Sequence, residues 1–104
     1  MSLFGFLSGR ADATARIASD RARSLVSDGA ALLDVRTAAE FRLGHIDGAT
    51  NIPVGEIDRA KTIIDTSTPV IVYCRSGARS ARAAIRMKSL GYEAVFDLGG
   101  LGNW

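Results

Sequence analysis

One stretch constrains the fold more than any other: Val70-Ile71-Val72-Tyr73-Cys74-Arg75-Ser76-Gly77-Ala78-Arg79-Ser80. Four β-prone residues run into the chain's one cysteine. A short loop with a glycine follows, and then a helix-like segment over residues 81–90. The pattern reads as strand, tight loop and helix, with the thiol at the C-terminal end of the strand. Backbone N–H groups in such a loop can point inward as an anion-binding nest, and the start of the helix adds partial positive charge. Arg75 and Arg79 add formal charge. Each of these favours a thiolate over a thiol, and cysteines so placed titrate at roughly 3.5–7.5 instead of about 8.5. The stretch predicts a reactive sulfur in a cradle that also attracts anions.

The rest of the chain alternates helix and strand. Ile17-Ala18 reads as a brief first strand. Ser19 reads as a helix N-cap, with Asp20 well placed for the dipole and Ala22, Leu25 and Val26 as the apolar stripe. Gly29 suits the C′ position that ends that helix. Ala31-Leu32-Leu33-Asp34-Val35 is a nearly continuous apolar run, the mark of a strand buried on both faces. Thr37 and Glu40 have capping-box spacing and open a short helix through Leu43, closed by Gly44. Thr50-Asn51-Ile52-Pro53 is a short strand. Ile57, Ala60, Ile63 and Ile64 form the next helical stripe, which Ser67-Thr68-Pro69 breaks. After the cysteine loop, Ala81, Ala84, Ile85 and Leu90 are placed to face a sheet, and Gly91 ends the helix. Ala94-Val95-Phe96-Asp97-Leu98 is a last strand before Gly99-Gly100. The economical solution is an α/β fold, a mainly parallel sheet with helices on both faces. In such sheets the active site lies beyond the carboxyl ends of the strands, where the Cys74 loop and Arg36 both fall.

A length of 104 residues suggests one domain, able to hide about 60–70% of its unfolded surface. Residues 1–16 read as an extension and residues 17–104 as the domain. Within the extension, Leu3-Phe4-Gly5-Phe6-Leu7 is too short for a signal-peptide core of roughly 7–15 residues or a span of about 20. No membrane association is expected of it. The net charge of +2 is too small to argue for nucleic acid. A lone cysteine forms no internal disulfide and lacks the partners of a zinc site, so neither metal nor cofactor is expected. A reducing compartment, the cytoplasm, suits it.

Several spaced motifs now converge. Asp34-Val35-Arg36, Glu40-Phe41, Gly44-His45-Ile46-Asp47-Gly48-Ala49 and Asn51-Ile52-Pro53 resemble the characteristic stretches of rhodanese-type single domains. The run from Cys74 to Ser80 resembles their active-site loop. Gly91-Tyr92, Leu98-Gly99-Gly100 and Trp104 are similar to their closing stretch. The resemblance covers roughly residues 17–104. It implies a central sheet of about five strands and sulfurtransferase chemistry through a cysteine persulfide. Such domains usually run on past the closing stretch into a final turn or helix. Here that edge is expected to be incompletely closed, or closed by the extension.

In this reading the Cys74 thiolate attacks the outer sulfur of a small anionic donor such as thiosulfate and expels sulfite. Loop N–H groups hold the persulfide, which passes its sulfur to an external thiol or to cyanide. A protein sulfur acceptor is a further candidate partner. The substrate-binding candidates are Arg75, Ser76, Gly77, Ala78, Arg79, Ser80 and Arg36. Four of these carry open alternatives: Arg75 positions an anion or is a solvated surface charge, Arg79 does the same or turns outward to an acid, and Arg36 contacts substrate or forms an ion pair with Asp34 or Glu40. Ser80 donates to substrate or caps the helix. Arg82 and Arg86 read as an exposed helix face, with a basic rim as the alternative. His45, beside a turn, reads as a structural hydrogen-bonding residue. Two rival functions remain: a carrier module serving a protein partner, and a phosphatase or arsenate reductase. Cysteine phosphatases resembling this pattern place five residues between cysteine and arginine, whereas four separate Cys74 from Arg79.

Overall fold

The computed structural model describes residues 16–104. The Leu3–Leu7 apolar stretch, and all of the extension but Arg16, lie outside the described residues. Four strands, β1 (Ala31–Asp34), β2 (Thr50–Asn51), β3 (Val70–Cys74) and β4 (Val95–Gly100), form one sheet in the order β2-β1-β3-β4. All three pairings are parallel. The strand expected at Ile17-Ala18 is reduced to one bridge between Arg16 and Asp97, with the Ile17 N–H donating to the Asp97 carbonyl at 2.9 Å. It extends the sheet past β4 by a single residue pair.

The helices are α1 (Ser19–Ser27), α2 (Ala38–Leu43) and α3 (Ala78–Ser89), with 3₁₀ segments at Val54–Thr62 and Leu101–Asn103. Strand β3 is buried at all five positions because both of its edges are paired and both of its faces are covered. Its side chains alternate as a strand requires. Val70, Val72 and Cys74 pack with Ala83, Ala84 and Met87 of α3 and with Ile57 and Ala60. Ile71 and Tyr73 point to the opposite face, packing with Ala22 of α1, Leu32 and Leu98. The apolar runs thus reflect burial on two faces rather than one.

Local signals act largely as chemistry dictates. The Thr37 hydroxyl accepts from the Glu40 N–H at 3.1 Å while the Glu40 carboxylate accepts from the Thr37 N–H at 3.0 Å, a full capping box. Helices α1 and α3 end alike, in Schellman closures. Gly29 and Ala30 donate to Val26 and Leu25, and Gly91 and Tyr92 donate to Lys88 and Met87. Ser19 is not the cap of α1: Ala18 holds that position, and Ser19 is the first helical residue. Its hydroxyl donates instead to the Trp104 carbonyl, as does Arg23, whose guanidinium lies 4.3 Å from the centre of the Trp104 ring. This ties the closing stretch to α1.

Two expectations for the helical faces need correction. Helix α3 begins at Ala78, three residues before the expected start, because Gly77 turns the chain directly into it. Its buried stripe is Ser80, Ala83, Ala84 and Met87, and Ile85 points outward at 64% exposure. The segment expected as an α-helix after Pro53 is 3₁₀ with an irregular Glu56. Ile57 and Ala60 are buried, but Ile63, just past its last turn, is 52% exposed. The register of α3 is testable. Met87→Ala removes a fully buried side chain and is expected to cost about 2–5 kcal/mol. Ile85→Ala is expected to stay within about 0.5 kcal/mol. Chemical denaturation of both variants measures this, and equal losses would contradict the observed register.

Candidate active site

The Cys74 side chain leaves the end of β3 into a pocket made by its own loop. Residue 74 is 1% exposed. The Gly77 N–H donates to its Sγ at 3.0 Å. Gly77 adopts φ +109°, a left-handed conformation that a side chain disfavours, and this turn directs the N–H back at the sulfur. The loop also leans on β4. A Cβ at Gly100 would lie 2.7 Å from the Arg75 carbonyl oxygen, so the glycine is what allows the strand and loop to approach this closely.

Burial pushes the Cys74 thiol up. The Ser80 hydroxyl and the N–H groups of Ser80, Gly77 and Ser76 oppose it, and the net shift is downward. Ser80 has one hydroxyl proton, which rests on the Gly77 carbonyl at 3.1 Å and can turn to a thiolate. The cradle is therefore built mostly of backbone.

The arginines named from the sequence fall into separate settings. Arg36 is buried and doubly bonded to buried Asp34, its Nη2 2.7 Å from Oδ2 and its Nε 3.0 Å from Oδ1. Its Nη2 also donates to the Gly44 carbonyl at 2.6 Å. Of its two readings, the structure places it in the ion pair, with Asp34 as partner. Arg79 turns to Glu40, with contacts of 2.7 and 3.1 Å. Arg79, with help from the Thr37 N–H, holds the Glu40 carboxyl down at about 2. Arg75 is exposed and makes no ion pair or side-chain hydrogen bond among the described residues. It lines a cleft of about 340 Å³ together with Arg36, Glu40, Leu43, Gly44 and Leu101. Cys74 itself does not line that cleft, which opens beside the loop. Ser76 and Ala78 are exposed on the loop, and Ser80 is fully buried under it.

His45 stacks on Phe41 with ring centroids 3.6 Å apart, and its Nδ1 lies 2.8 Å from the Phe41 carbonyl. Arg86 pairs with Asp58 on the surface, at 2.7 Å. Sequence reasoning missed three contributors: Arg16, whose guanidinium lies against Gly77 and Gly99; Gly100; and the Tyr73 hydroxyl, which accepts from the Ile46 N–H at 3.1 Å. Burial pushes that phenol up to about 12, so it stays neutral. Of the three only the Gly99-Gly100 pair left a trace, as two adjacent glycines after a strand. Among the described residues no group of three His, Cys, Asp or Glu side chains is gathered to hold a metal ion.

The fold and the site define a cysteine-loop domain: a parallel α/β sheet that delivers one buried cysteine into a loop of N–H groups at its C-terminal edge. The family model of the rhodanese-like domain matches residues 18–104, and the chain belongs to that family. It is 42% identical over 76 residues to the uncharacterized protein YqhL of Bacillus subtilis, a match covering 72% of this chain and 60% of that relative's length. The thiosulfate sulfurtransferase GlpE of Ectopseudomonas mendocina is 34% identical over 90 residues, covering 86% of this chain and 83% of that protein. The structure of the human single-domain sulfurtransferase TSTD1 superimposes with a TM-score of 0.71 at 28% identity, covering 86% of this chain and 90% of that one. No helix among the described residues is long and apolar enough to cross a membrane.

The cradle's electrostatics can be measured without a substrate. Hydrogen bonds to sulfur favour its charged form, so Cys74 should be alkylated with a pH midpoint below the ordinary cysteine value of about 8.5. Ser80→Ala removes one donor and should move the midpoint upward. An unmoved midpoint would mean that the Ser80 proton stays on the Gly77 carbonyl when the thiolate forms.

Proposed function

We propose that the protein is a thiosulfate sulfurtransferase of the rhodanese type, working through a persulfide on Cys74. The thiolate attacks the outer sulfur of thiosulfate. A sulfur–sulfur bond forms to Cys74, the donor's own sulfur–sulfur bond breaks, and sulfite leaves with the electron pair. Cyanide or an external thiolate then takes the outer sulfur, returning the Cys74 thiolate. The observation that carries this reading is the Gly77 N–H aimed at a buried Cys74 sulfur, 3.0 Å away, inside a loop of further donors. Such a ring stabilises a singly charged sulfur and welcomes one more sulfur atom in its place.

The rival phosphatase reading asks more of the loop. It needs an arginine to close over a phosphoryl group, and the loop's Arg79 is committed to Glu40. The loop is also one residue shorter than the pattern that such enzymes resemble. The acceptor comes from outside Cys74 itself, since the chain has no second cysteine. A protein acceptor fits the same chemistry, and a lone thiol suits a reducing compartment such as the cytoplasm.

Cys74→Ser is expected to abolish thiosulfate:cyanide sulfur transfer and to leave the fold intact. Wild-type protein mixed with thiosulfate should gain the mass of one sulfur atom, and the variant should gain none. Substantial transfer by a folded Cys74→Ser protein would rule the persulfide out.

Substrate capture is expected to fall to Arg75, whose guanidinium is exposed beside the cleft and unpaired among the described residues. Arg75→Ala should raise KM for thiosulfate roughly tenfold to a hundredfold, the worth of a charge-assisted hydrogen bond of about 1.5–3 kcal/mol. The gap between wild type and variant should narrow at high salt. Arg79→Ala should change KM less, because that side chain is already turned to Glu40. Kinetics of both variants at two ionic strengths decide the matter, and a larger KM effect at Arg79 would reverse the assignment.

A further inference from the structure

Arg16 precedes the residues that the family model matches, yet its side chain reaches the active-site loop. A Cβ at Gly99 would lie 2.6 Å from its Nη1 and 2.8 Å from its Cζ, and one at Gly77 would lie 3.0 Å from its Nη2. The half-exposed guanidinium therefore lies directly against the open backbone faces of both glycines. Its Nε is 3.5 Å from Oδ2 of Asp97, a carboxylate whose side chain is 5% exposed. The other oxygen, Oδ1, accepts from the Gly99 N–H at 2.8 Å. The backbone at Arg16 is held as well, by its bridge to Asp97. The half-exposed Arg16 side chain is thus held at its backbone and at Nε, and its charged end rests on the residue whose N–H points at Cys74.

We propose that Arg16 is a positioning residue for the Cys74 loop: held by Asp97, its guanidinium backs Gly77 in the conformation that directs the Gly77 N–H at the sulfur, and its positive charge favours the thiolate. The proposal rests on the reading that the Cys74 sulfur is the reacting atom. The other charged groups around that sulfur are the Arg79–Glu40 pair from α3 and α2, the Asp34–Arg36 pair from the end of β1, and Arg75 on the loop itself. None of them is paired with Arg16. Loss of the Arg16 charge also leaves the buried Asp97 carboxylate uncompensated behind the loop, and both consequences disfavour a thiolate.

The test compares Arg16→Gln, which removes the charge, with Arg16→Lys, which keeps it. The readout is the pH midpoint of Cys74 alkylation, with the melting temperature recorded alongside. Arg16→Gln should raise the midpoint by about half a pH unit or more, the scale of one nearby charge that is half exposed and partly screened by solvent. Arg16→Lys should recover most of that shift, and kcat for sulfur transfer should fall in the Gln variant only. A folded Arg16→Gln protein with the wild-type midpoint overturns the proposal, as does a Lys variant displaced as far as the Gln variant. If Arg16→Gln does not fold, Arg16→Met replaces it under the same criteria. Failure of both neutral variants to fold marks Arg16 as a structural clamp and overturns the proposal too. Alkylation needs no sulfur donor, so this result stands apart from the outcome of the Cys74→Ser assay.

Discussion

Strand β3 meets no solvent on either face or along either edge, and the site inherits that condition. Its last residue, Cys74, is carried into a place where a charge has lost its water. A thiolate there is tolerable only if protein donors replace the lost hydration. The loop does this mainly with backbone N–H groups, which are fixed by the chain itself, joined by the Ser80 hydroxyl. Burial pushes the thiol up, the donors pull it down, and the donors outweigh the burial.

The donors stay aimed because neighbouring elements leave the loop little room. Gly100 lets β4 come within contact of the Arg75 carbonyl. On the other side Glu40 serves two elements at once, closing the N-terminus of α2 and accepting from Arg79 on α3. The Asp34–Arg36 pair does similar work beneath the cleft. A fully buried carboxylate needs its cation, and that cation in turn holds the Gly44 carbonyl. Removing one partner of such a pair strands a buried charge, which is far costlier than losing an exposed one. Arg36 and Arg79 are thereby engaged in ion pairs within the fold, while Arg75 stays exposed and makes no ion pair among the described residues.

This division separates two demands of the proposed chemistry. A persulfide needs a permanent, sterically small set of donors, and rigid backbone meets that need. A dianionic donor needs attraction at longer range, and an exposed guanidinium beside a cleft meets that one. Membership of the rhodanese-like family fits this economy, since the donors to the sulfur come from one loop and the first turn of the helix that follows it.

The sequence by itself determined the α/β class, the capping box at Thr37 and Glu40, the glycine closures of α1 and α3, and the placing of Cys74 at the end of the strand that enters the loop before a helix. These are readable because each depends on residues close together in the chain: apolar period, cap spacing and turn chemistry. Helix α3 starts three residues before its apolar run suggests, since the left-handed turn at Gly77 begins it at once, and packing against the sheet selects the stripe of Ser80, Ala83, Ala84 and Met87 and leaves Ile85 outward. Tertiary structure alone decided what the charges do. Whether Arg36 binds Asp34 or substrate, whether Arg79 meets Glu40 across 39 positions of sequence, and that Arg16 reaches Gly77 and Gly99 are all set by distances between elements. Arginine side chains are long and find their partners only once the sheet has brought those partners near, so the residue type announces a charge and the fold assigns its use.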